Sequence, residues 1–130
     1  MTEALRRYRV EELMTKDPVA ISPTTTVLEA AKLMDEIGVG ALPVVDRDRR
    51  LIGIFSERDI VRRVIAKERP LATPISEVMT RDVIIIGPND TVEDALKLMA
   101  RFNIRHLPVV DEKGVLIGII SIKDIEAALL

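Results

Sequence analysis

The stretch GIFSERD at residues 53–59 returns as GIISIKD at residues 118–124, with glycine, serine and aspartate at the same spacing. The repetition extends outward from this motif: sliding the chain by 65 residues lays residues 10–60 over residues 75–125 without a gap, and nearly half of the positions are identical. One unit has therefore been duplicated. Two copies are too few for a solenoid, so a pair related by pseudo-twofold symmetry is the simpler outcome.

Each copy is predicted to fold as strand, helix, strand, strand and helix, which gives an α+β fold class. A short apolar strand (residues 19–21 and 83–86) precedes a proline turn. Two apolar runs rich in β-branched residues, LPVVD and LIGIFS in the first copy and LPVVD and LIGIIS in the second, predict a hairpin. Ser56 and Ser121 then begin the second helix of each copy.

The first helix of each copy carries signals at both ends. Thr26 with Glu29, and Thr91 with Asp94, have the spacing of a capping box that opens a helix. Gly38 and Asn103 follow the last apolar position, and glycine and asparagine are the residues that tolerate the left-handed backbone conformation that ends a helix. The stripes predicted to be buried are Val27, Ala30, Ala31, Met34 and Ile37 in the first copy, and Val92, Ala95, Leu96, Met99 and Phe102 in the second.

Composition excludes several classes of function. The chain has no cysteine and a single histidine, His106, so a metal site is not expected. No apolar run approaches the ~20 residues of a membrane span, and the charged start is unlike a signal peptide, so we expect a cytoplasmic protein without membrane contact. A net charge of −2 and 2% aromatic residues argue against nucleic acid as a partner. High charge and the absence of glutamine indicate a thermophilic source.

The two copies resemble a tandem pair of CBS domains, also called a Bateman module. The resemblance rests on GVGALPVVD at residues 38–46, NIRHLPVVD at 103–111 and the paired Gly-x-x-Ser-x-x-Asp motifs. It predicts one CBS domain at residues 8–68, a second at 75–130 and a linker at 69–74. It also implies that two β-α-β-β-α repeats pack sheet to sheet as a pseudo-twofold disc, with two clefts that receive AMP, ADP, ATP or S-adenosylmethionine, AMP in the first place.

Carried over residue by residue, the resemblance gives two cofactor-binding sets. In the first cleft Asp124 would bind the ribose and Ser121 and Lys123 would face phosphate. The base would lie between Ile119, Val39, Gly40 and the segment Asp17, Pro18 and Val19, with Arg105 and His106 nearby. In the second cleft Asp59, Ser56 and Arg58 would take those roles, with Ile54, Ile104, Val83 and Ile84 as apolar walls and Arg105 again near phosphate.

The motif residues also have purely structural readings. If Ser56 caps a helix, Asp59 falls in the first turn, where an aspartate is favourable without any ligand. The same geometry suits a nucleotide, since a helix start favours an anion and a carboxylate accepts two hydrogen bonds from a cis-diol. Gly53 and Gly118 interrupt apolar strands, which indicates either a bulge or a close approach to the backbone.

Two functional hypotheses follow. The first is a stand-alone regulatory module without enzymatic activity that binds an adenosyl ligand and signals to an effector protein; the sequence contains no paired nucleophile and base. The second is a ligand-free dimerisation or scaffolding module, and a small hydrolase is a distant third. A homodimer is expected in either case, because the second helices carry the apolar residues Ile60, Val61, Val64 and Ile65 in one copy and Ile125, Ala128 and Leu129 in the other.

Overall fold

Helices and strands follow one another in the same order in both copies. A computed structural model describes residues 2–130. The helices are α1 Thr2–Arg7, α2 Val10–Leu13, α3 Val27–Ile37, α4 Glu57–Asp59, α5 Val92–Phe102 and α6 Ile122–Leu129. The strands are β1 Thr15–Lys16, β2 Ala41–Val45, β3 Leu51–Ser56, β4 His106–Val110 and β5 Leu116–Ser121. A π-helix, Ile60–Ile65, continues α4, and a 3₁₀ helix spans Ile75–Glu77.

The two predicted hairpins are confirmed. β2 pairs with β3, and β4 with β5, both antiparallel, and each has a register shift at the same repeat position, after Val44 and after Val109. The predicted strands at residues 19–21 and 83–86 are wrong as regular strands. Each is reduced to a single parallel bridge, Ile21 with Val44 and Ile86 with Val109. Pro23 and Pro88 stand two residues after the bridging isoleucines, so the pairing ends there on the C-terminal side.

The chain divides into two compact units that do not coincide with the two sequence copies. The Asp124 unit consists of residues 2–18 and 84–130, and the Asp59 unit of residues 19–83. Each unit therefore combines the segment that leads into one copy with the body of the other. In the Asp124 unit β1 pairs with β5, and in the Asp59 unit Thr80 forms the equivalent antiparallel bridge with Ile54.

The segment at residues 69–74 is packed against a helix start. The main-chain N–H groups of Val27 and Leu28, which have no partner inside α3, donate to the carbonyls of Thr73 and Leu71 at 2.9 and 3.0 Å. Thr73 is buried, and its hydroxyl donates to the carbonyl of Pro70 at 2.6 Å. This proline-bearing segment is therefore part of the Asp59 unit's structure as well as a connection along the chain.

Both predicted helix stripes bury their first members. Val27, Ala30 and Met34 lie in the core of the Asp59 unit with Phe55, and the corresponding residues of α5, Val92, Ala95 and Met99, lie in the core of the Asp124 unit with Ile120. The last stripe residues, Ile37 and Phe102, are exposed instead. Both capping boxes form, and Gly38 and Asn103 end α3 and α5 in the left-handed conformation as predicted.

The second helix of the first copy departs from the prediction. After α4 the chain continues as a π-helix, in which the N–H of Ala66 donates to the carbonyl of Val61, five residues earlier. The predicted exposed stripe is also partly wrong, because Val64 and Ile125 are buried within their own units. Val61 and Ile65 remain 61% and 60% exposed. Isolated π-helical turns are rare and often lie at functional sites.

Candidate functional site

Ser121 and Asp124 cap the start of α6 reciprocally. The main-chain N–H of Ser121 donates to Oδ2 of Asp124 at 2.9 Å, and the N–H of Asp124 donates to Oγ of Ser121 at 3.2 Å. Ser121 is in extended conformation, which places its side chain over the helix start. The prediction that Ser121 and Asp124 cap a helix is therefore confirmed. The Asp124 residue is half-buried.

Arg105 and His106 lie beside this helix start. The carbonyl of Arg105 accepts a hydrogen bond of 3.1 Å from the N–H of Ile122, and His106 is the register partner of Ser121. Arg105 and Lys123 are exposed. Within this unit, one arginine (Arg105), one lysine (Lys123) and the histidine His106 therefore lie close to the Ser121–Asp124 motif along the backbone.

The segment after β1 runs along the other side of β5. Thr15 pairs with Ile119, and the N–H of Asp17 donates to the carbonyl of Ile117 at 3.3 Å. Asp17 has a φ of 46°, a left-handed conformation that aspartate tolerates better than most residues. Within the Asp124 unit, the structure thus brings Asp17 and Pro18 next to the strand that carries Ile119. Ile84 and Ile104 also belong to this unit and pack against its core.

The Asp59 unit has the same capped helix start, but different residues lie next to it. Ser56 caps α4 with Asp59 at the third helical position, as the spacing predicted. The carbonyl of Gly40 accepts from the N–H of Glu57 at 3.0 Å, so Gly40 occupies the position that Arg105 has in the other unit. Ile54 is half-buried and Arg58 is exposed. Glycine and alanine at residues 40 and 41 give this helix start room but no added cation.

The two units divide the predicted binding sets between them. The Asp124 unit holds Asp124, Ser121, Lys123, Ile119, Asp17, Pro18, Arg105, His106, Ile104 and Ile84; the Asp59 unit holds Asp59, Ser56, Arg58, Ile54, Val39, Gly40, Val19 and Val83. Each predicted binding set therefore includes residues of both units. The Ser121–Asp124 motif lies wholly in the Asp124 unit, and the Ser56–Asp59 motif lies wholly in the Asp59 unit.

The two motif glycines have a structural cause. A Cβ on Gly53 would lie 2.5 Å from Sδ of Met79 and 3.1 Å from the carbonyl of Thr80; Gly118 has the same relationship to Met14 and Thr15. Both register shifts also lie next to these glycines, so the bulge and the close approach to the backbone, which the sequence left as alternatives, occur together. The chain itself makes the close approach, which requires glycine whether or not a ligand binds.

Sequence reasoning missed two residues that contact Asp59. The hydroxyl of Thr80 donates to Oδ1 of Asp59 at 3.1 Å, and Nε of Arg63 lies 3.4 Å from the same oxygen. The spacing of Asp59 and Arg63, four residues apart on one helix, was a usable signal. Thr80 carried no such signal, because its contact depends on the bridge between residues 54 and 80.

Across residues 2–130, no group of three or more His, Cys, Asp and Glu side chains is arranged to hold a metal ion. None of the helices in this part of the chain combines the length and apolar character that crossing a bilayer requires.

A family model for the CBS domain matches residues 10–66 and 75–130. The chain belongs to the CBS domain family. The CBS domain-containing protein YhcV of Bacillus subtilis is 42% identical over 116 residues, which cover 89% of this chain and 81% of YhcV. Inosine-5′-monophosphate dehydrogenase of Korarchaeum cryptofilum is 39% identical over 125 residues, but the match spans 96% of this chain and only 25% of that enzyme.

Solved structures of CBS pairs have the same fold. The CBS domain pair of protein MJ0100, solved in complex with 5′-methylthioadenosine and S-adenosyl-L-methionine, matches with a TM-score of 0.87 and 29% identity. The match covers 95% of this chain and all of that one (100%). The sequence prediction of two CBS repeats of mixed helix and strand is therefore confirmed.

Proposed function

We propose that this CBS pair is a non-catalytic regulatory module that binds an adenosyl ligand through the Ser121–Asp124 motif. AMP is the first candidate; ADP, ATP and S-adenosylmethionine are the alternatives. The single observation that carries the proposal is the half-buried Asp124 carboxylate, held at a helix start beside Arg105 and Lys123. Similarity to the MJ0100 pair, solved with two adenosyl compounds, supports this ligand class.

The chemistry of the motif matches a nucleoside. The Ser121 N–H fixes Oδ2 of Asp124, and an ionised carboxylate offers about four acceptor positions in total, so a ribose diol has acceptors to bind. The dipole of α6 favours an anion at its N-terminal end, and Arg105 and Lys123 add positive charge nearby. Ile119 and the segment Asp17–Pro18 supply apolar surface and backbone for the base.

The remaining assignments form part of the same proposal. Val39, Gly40 and Val19 are assigned to the base at the Asp124 motif. A second site would use Asp59, Ser56, Arg58, Ile54, Val83, Ile84, Ile104 and Arg105. We propose CBS domains at residues 8–68 and 75–130, joined by a linker at residues 69–74. No reaction is assigned to the module, so a partner protein would register which ligand is bound.

The test is to identify ligands carried through purification and then to titrate the ligand-free protein. AMP, ADP, ATP and S-adenosylmethionine should give heat in calorimetry, whereas GMP and ribose 5-phosphate at equal concentration should give much less. Asp124→Asn should remove most of the adenosyl signal. If none of the four adenosyl compounds binds, the proposal is wrong and the ligand-free scaffold is the better description.

We also propose that the pair forms a homodimer through the π-helix. Val61 and Ile65 present their side chains to solvent one turn apart, with 61% and 60% of their surface exposed. Burying apolar surface of this kind is favourable at about 25 cal/mol per Å². On α6, exposed Ala128 and half-buried Leu129 are the corresponding candidates for a dimer contact.

A further inference from the structure

The carboxylate of Asp59 is surrounded by donors from its own unit. Oδ2 accepts from the main-chain N–H of Ser56 at 2.9 Å and from the Ser56 hydroxyl at 3.2 Å. Oδ1 accepts from the hydroxyl of Thr80 at 3.1 Å and lies 3.4 Å from Nε of Arg63. Three hydrogen bonds and one ion pair therefore engage the roughly four acceptor positions of the carboxylate, and only 5% of Asp59 is exposed.

The two side chains that approach Oδ1 are themselves held in place. Arg63 donates through Nη1 to the carbonyl of Met79 at 3.1 Å. Thr80 exchanges two main-chain hydrogen bonds of 2.9 Å with Ile54. Met79 also packs against Gly53, where a Cβ would clash with its sulfur. Arg63 and Thr80 therefore reach Asp59 from positions fixed by the strand of the motif itself.

Asp124 has a different environment at the equivalent repeat position. Ala128 stands where Arg63 would be, so a charged partner four residues on is absent from α6. Thr15 stands where Thr80 would be, but among the side-chain contacts described within the unit no hydrogen bond joins its hydroxyl to Asp124. The carboxylate accepts from the Ser121 N–H through Oδ2, and the residue is half-buried instead of buried.

We infer that Arg63 and Thr80 act as an internal latch that closes Asp59 to a ribose diol, so that adenosyl ligands bind first, and mainly, at Asp124. This inference rests on the proposed function. A diol at Asp59 must displace donors already bound to the carboxylate, and the exchange gains few hydrogen bonds. At Asp124 the diol adds hydrogen bonds to acceptor positions that the Ser121 N–H leaves open.

The first experiment isolates the Asp59 motif by calorimetric titration with AMP and with S-adenosylmethionine. Asp124→Asn should bind weakly. Adding Arg63→Ala and Thr80→Val to that variant should restore binding by about tenfold or more, while adding Arg62→Ala, an exposed neighbour outside the latch, should not. Adding Asp59→Asn to the latch variant should abolish the restored binding. Melting curves without ligand establish that each variant is folded.

A reciprocal variant keeps the inference testable if opening the latch unfolds the Asp59 unit. Ala128→Arg places an arginine four residues after Asp124 and should weaken AMP binding by about tenfold, whereas Ala128→Gln should change it little. Failure of all adenosyl compounds to bind the native chain would refute the proposed function. Two outcomes would refute the latch alone. One is that AMP binding to the native chain depends on Asp59 and not on Asp124. The other is that the Arg63→Ala/Thr80→Val variant and the Ala128→Arg variant bind AMP as their controls do.

Discussion

The hydroxyl of Thr80 donates a hydrogen bond of 3.1 Å to Oδ1 of Asp59, although the two residues are 21 positions apart in the sequence. This contact joins the start of α4 to the segment that leads into the second copy. The equivalent pair, Thr15 and Asp124, shares the bridge geometry of the strands but not this hydrogen bond within its unit. The duplicated motif therefore has two different electrostatic environments.

That difference predicts unequal effects of the same substitution on stability. Asp59→Asn replaces an acceptor oxygen by an amide donor among three hydrogen-bond donors and an arginine, and should lower the free energy of unfolding by about 2 kcal/mol. Asp124→Asn keeps an oxygen for the Ser121 N–H and should cost less than about 1 kcal/mol. Urea unfolding of both variants measures the two values. Equal losses would show that the Thr80 and Arg63 contacts contribute nothing in solution.

Ligand binding should stabilise the native chain by an amount that the free concentration determines. AMP at about 100 times its dissociation constant should add about 2.7 kcal/mol to the free energy of unfolding. At that same concentration, a tenfold weaker Asp124→Asn variant should gain only about 1.4 kcal/mol. Thermal melts with and without AMP test both values, with GMP as the control. A native gain that Asp124→Asn leaves unchanged would place the ligand elsewhere.

Gly53→Ala and Gly118→Ala should each destabilise the fold by about 1 to 3 kcal/mol, because the new methyl group would overlap a methionine sulfur and crowd a main-chain carbonyl. Gly87→Ala is the matched control, since its nearest side-chain atom lies 3.3 Å from the new Cβ and belongs to an exposed aspartate. Denaturant unfolding compares the three. Alanine at residue 53 without loss of stability would show that Met79 moves aside at little cost.

The local parts of the fold were predictable because their signals lie within a few residues. The capping boxes at Thr26 and Thr91, the helix ends at Gly38 and Asn103 and both hairpins follow from short-range chemistry. Each of these features uses only backbone preferences and the nearest turn. The structure therefore agrees with the sequence wherever the decisive contact is local.

The pairing of segments into units was not predictable from one sequence. Residues 2–18 pack with the second copy and residues 75–83 with the first, although the repeat pattern is equally consistent with each copy folding on itself. The burial of Val64 and Ile125 follows from the same packing. Around Asp59, the Thr80 contact depends on the bridge between residues 54 and 80 and was not predictable. The Arg63 contact was predictable, because Arg63 lies four residues after Asp59 on the same helix.

Acid should destabilise the chain partly through the capping carboxylate of Glu29. The hydrogen bond from the Thr26 main-chain N–H is the main cause that lowers the pKa of Glu29 below its ordinary value of 4.5. A pKa lowered by folding gives stability that is present above pH 4.5 and is lost as the pH falls through the folded value.

Glu29→Gln tests this dependence because glutamine keeps an acceptor for Thr26 but does not titrate. Compared with the native chain, the variant should be less stable at neutral pH, and the difference should shrink as the pH falls below 4.5. Glu112→Gln, at an exposed hairpin position outside the capping boxes, is the control for replacing a carboxylate by an amide. Urea midpoints measured at several pH values supply the comparison, and a Glu29→Gln offset that does not change with pH would contradict the capping contribution.

The proposed homodimer predicts that polar residues on the π-helix separate the chains without unfolding them. Val61 and Ile65 are largely exposed, so Val61→Ser with Ile65→Ser removes apolar contact area while leaving both cores intact. Sedimentation should then give a monomer for the double variant and a dimer for the native chain at micromolar concentration. Leu28→Ser is the control, because Leu28 is an exposed apolar residue on α3 outside the proposed contact. A native monomer, or a double variant that still dimerises, would contradict the π-helix as the interface.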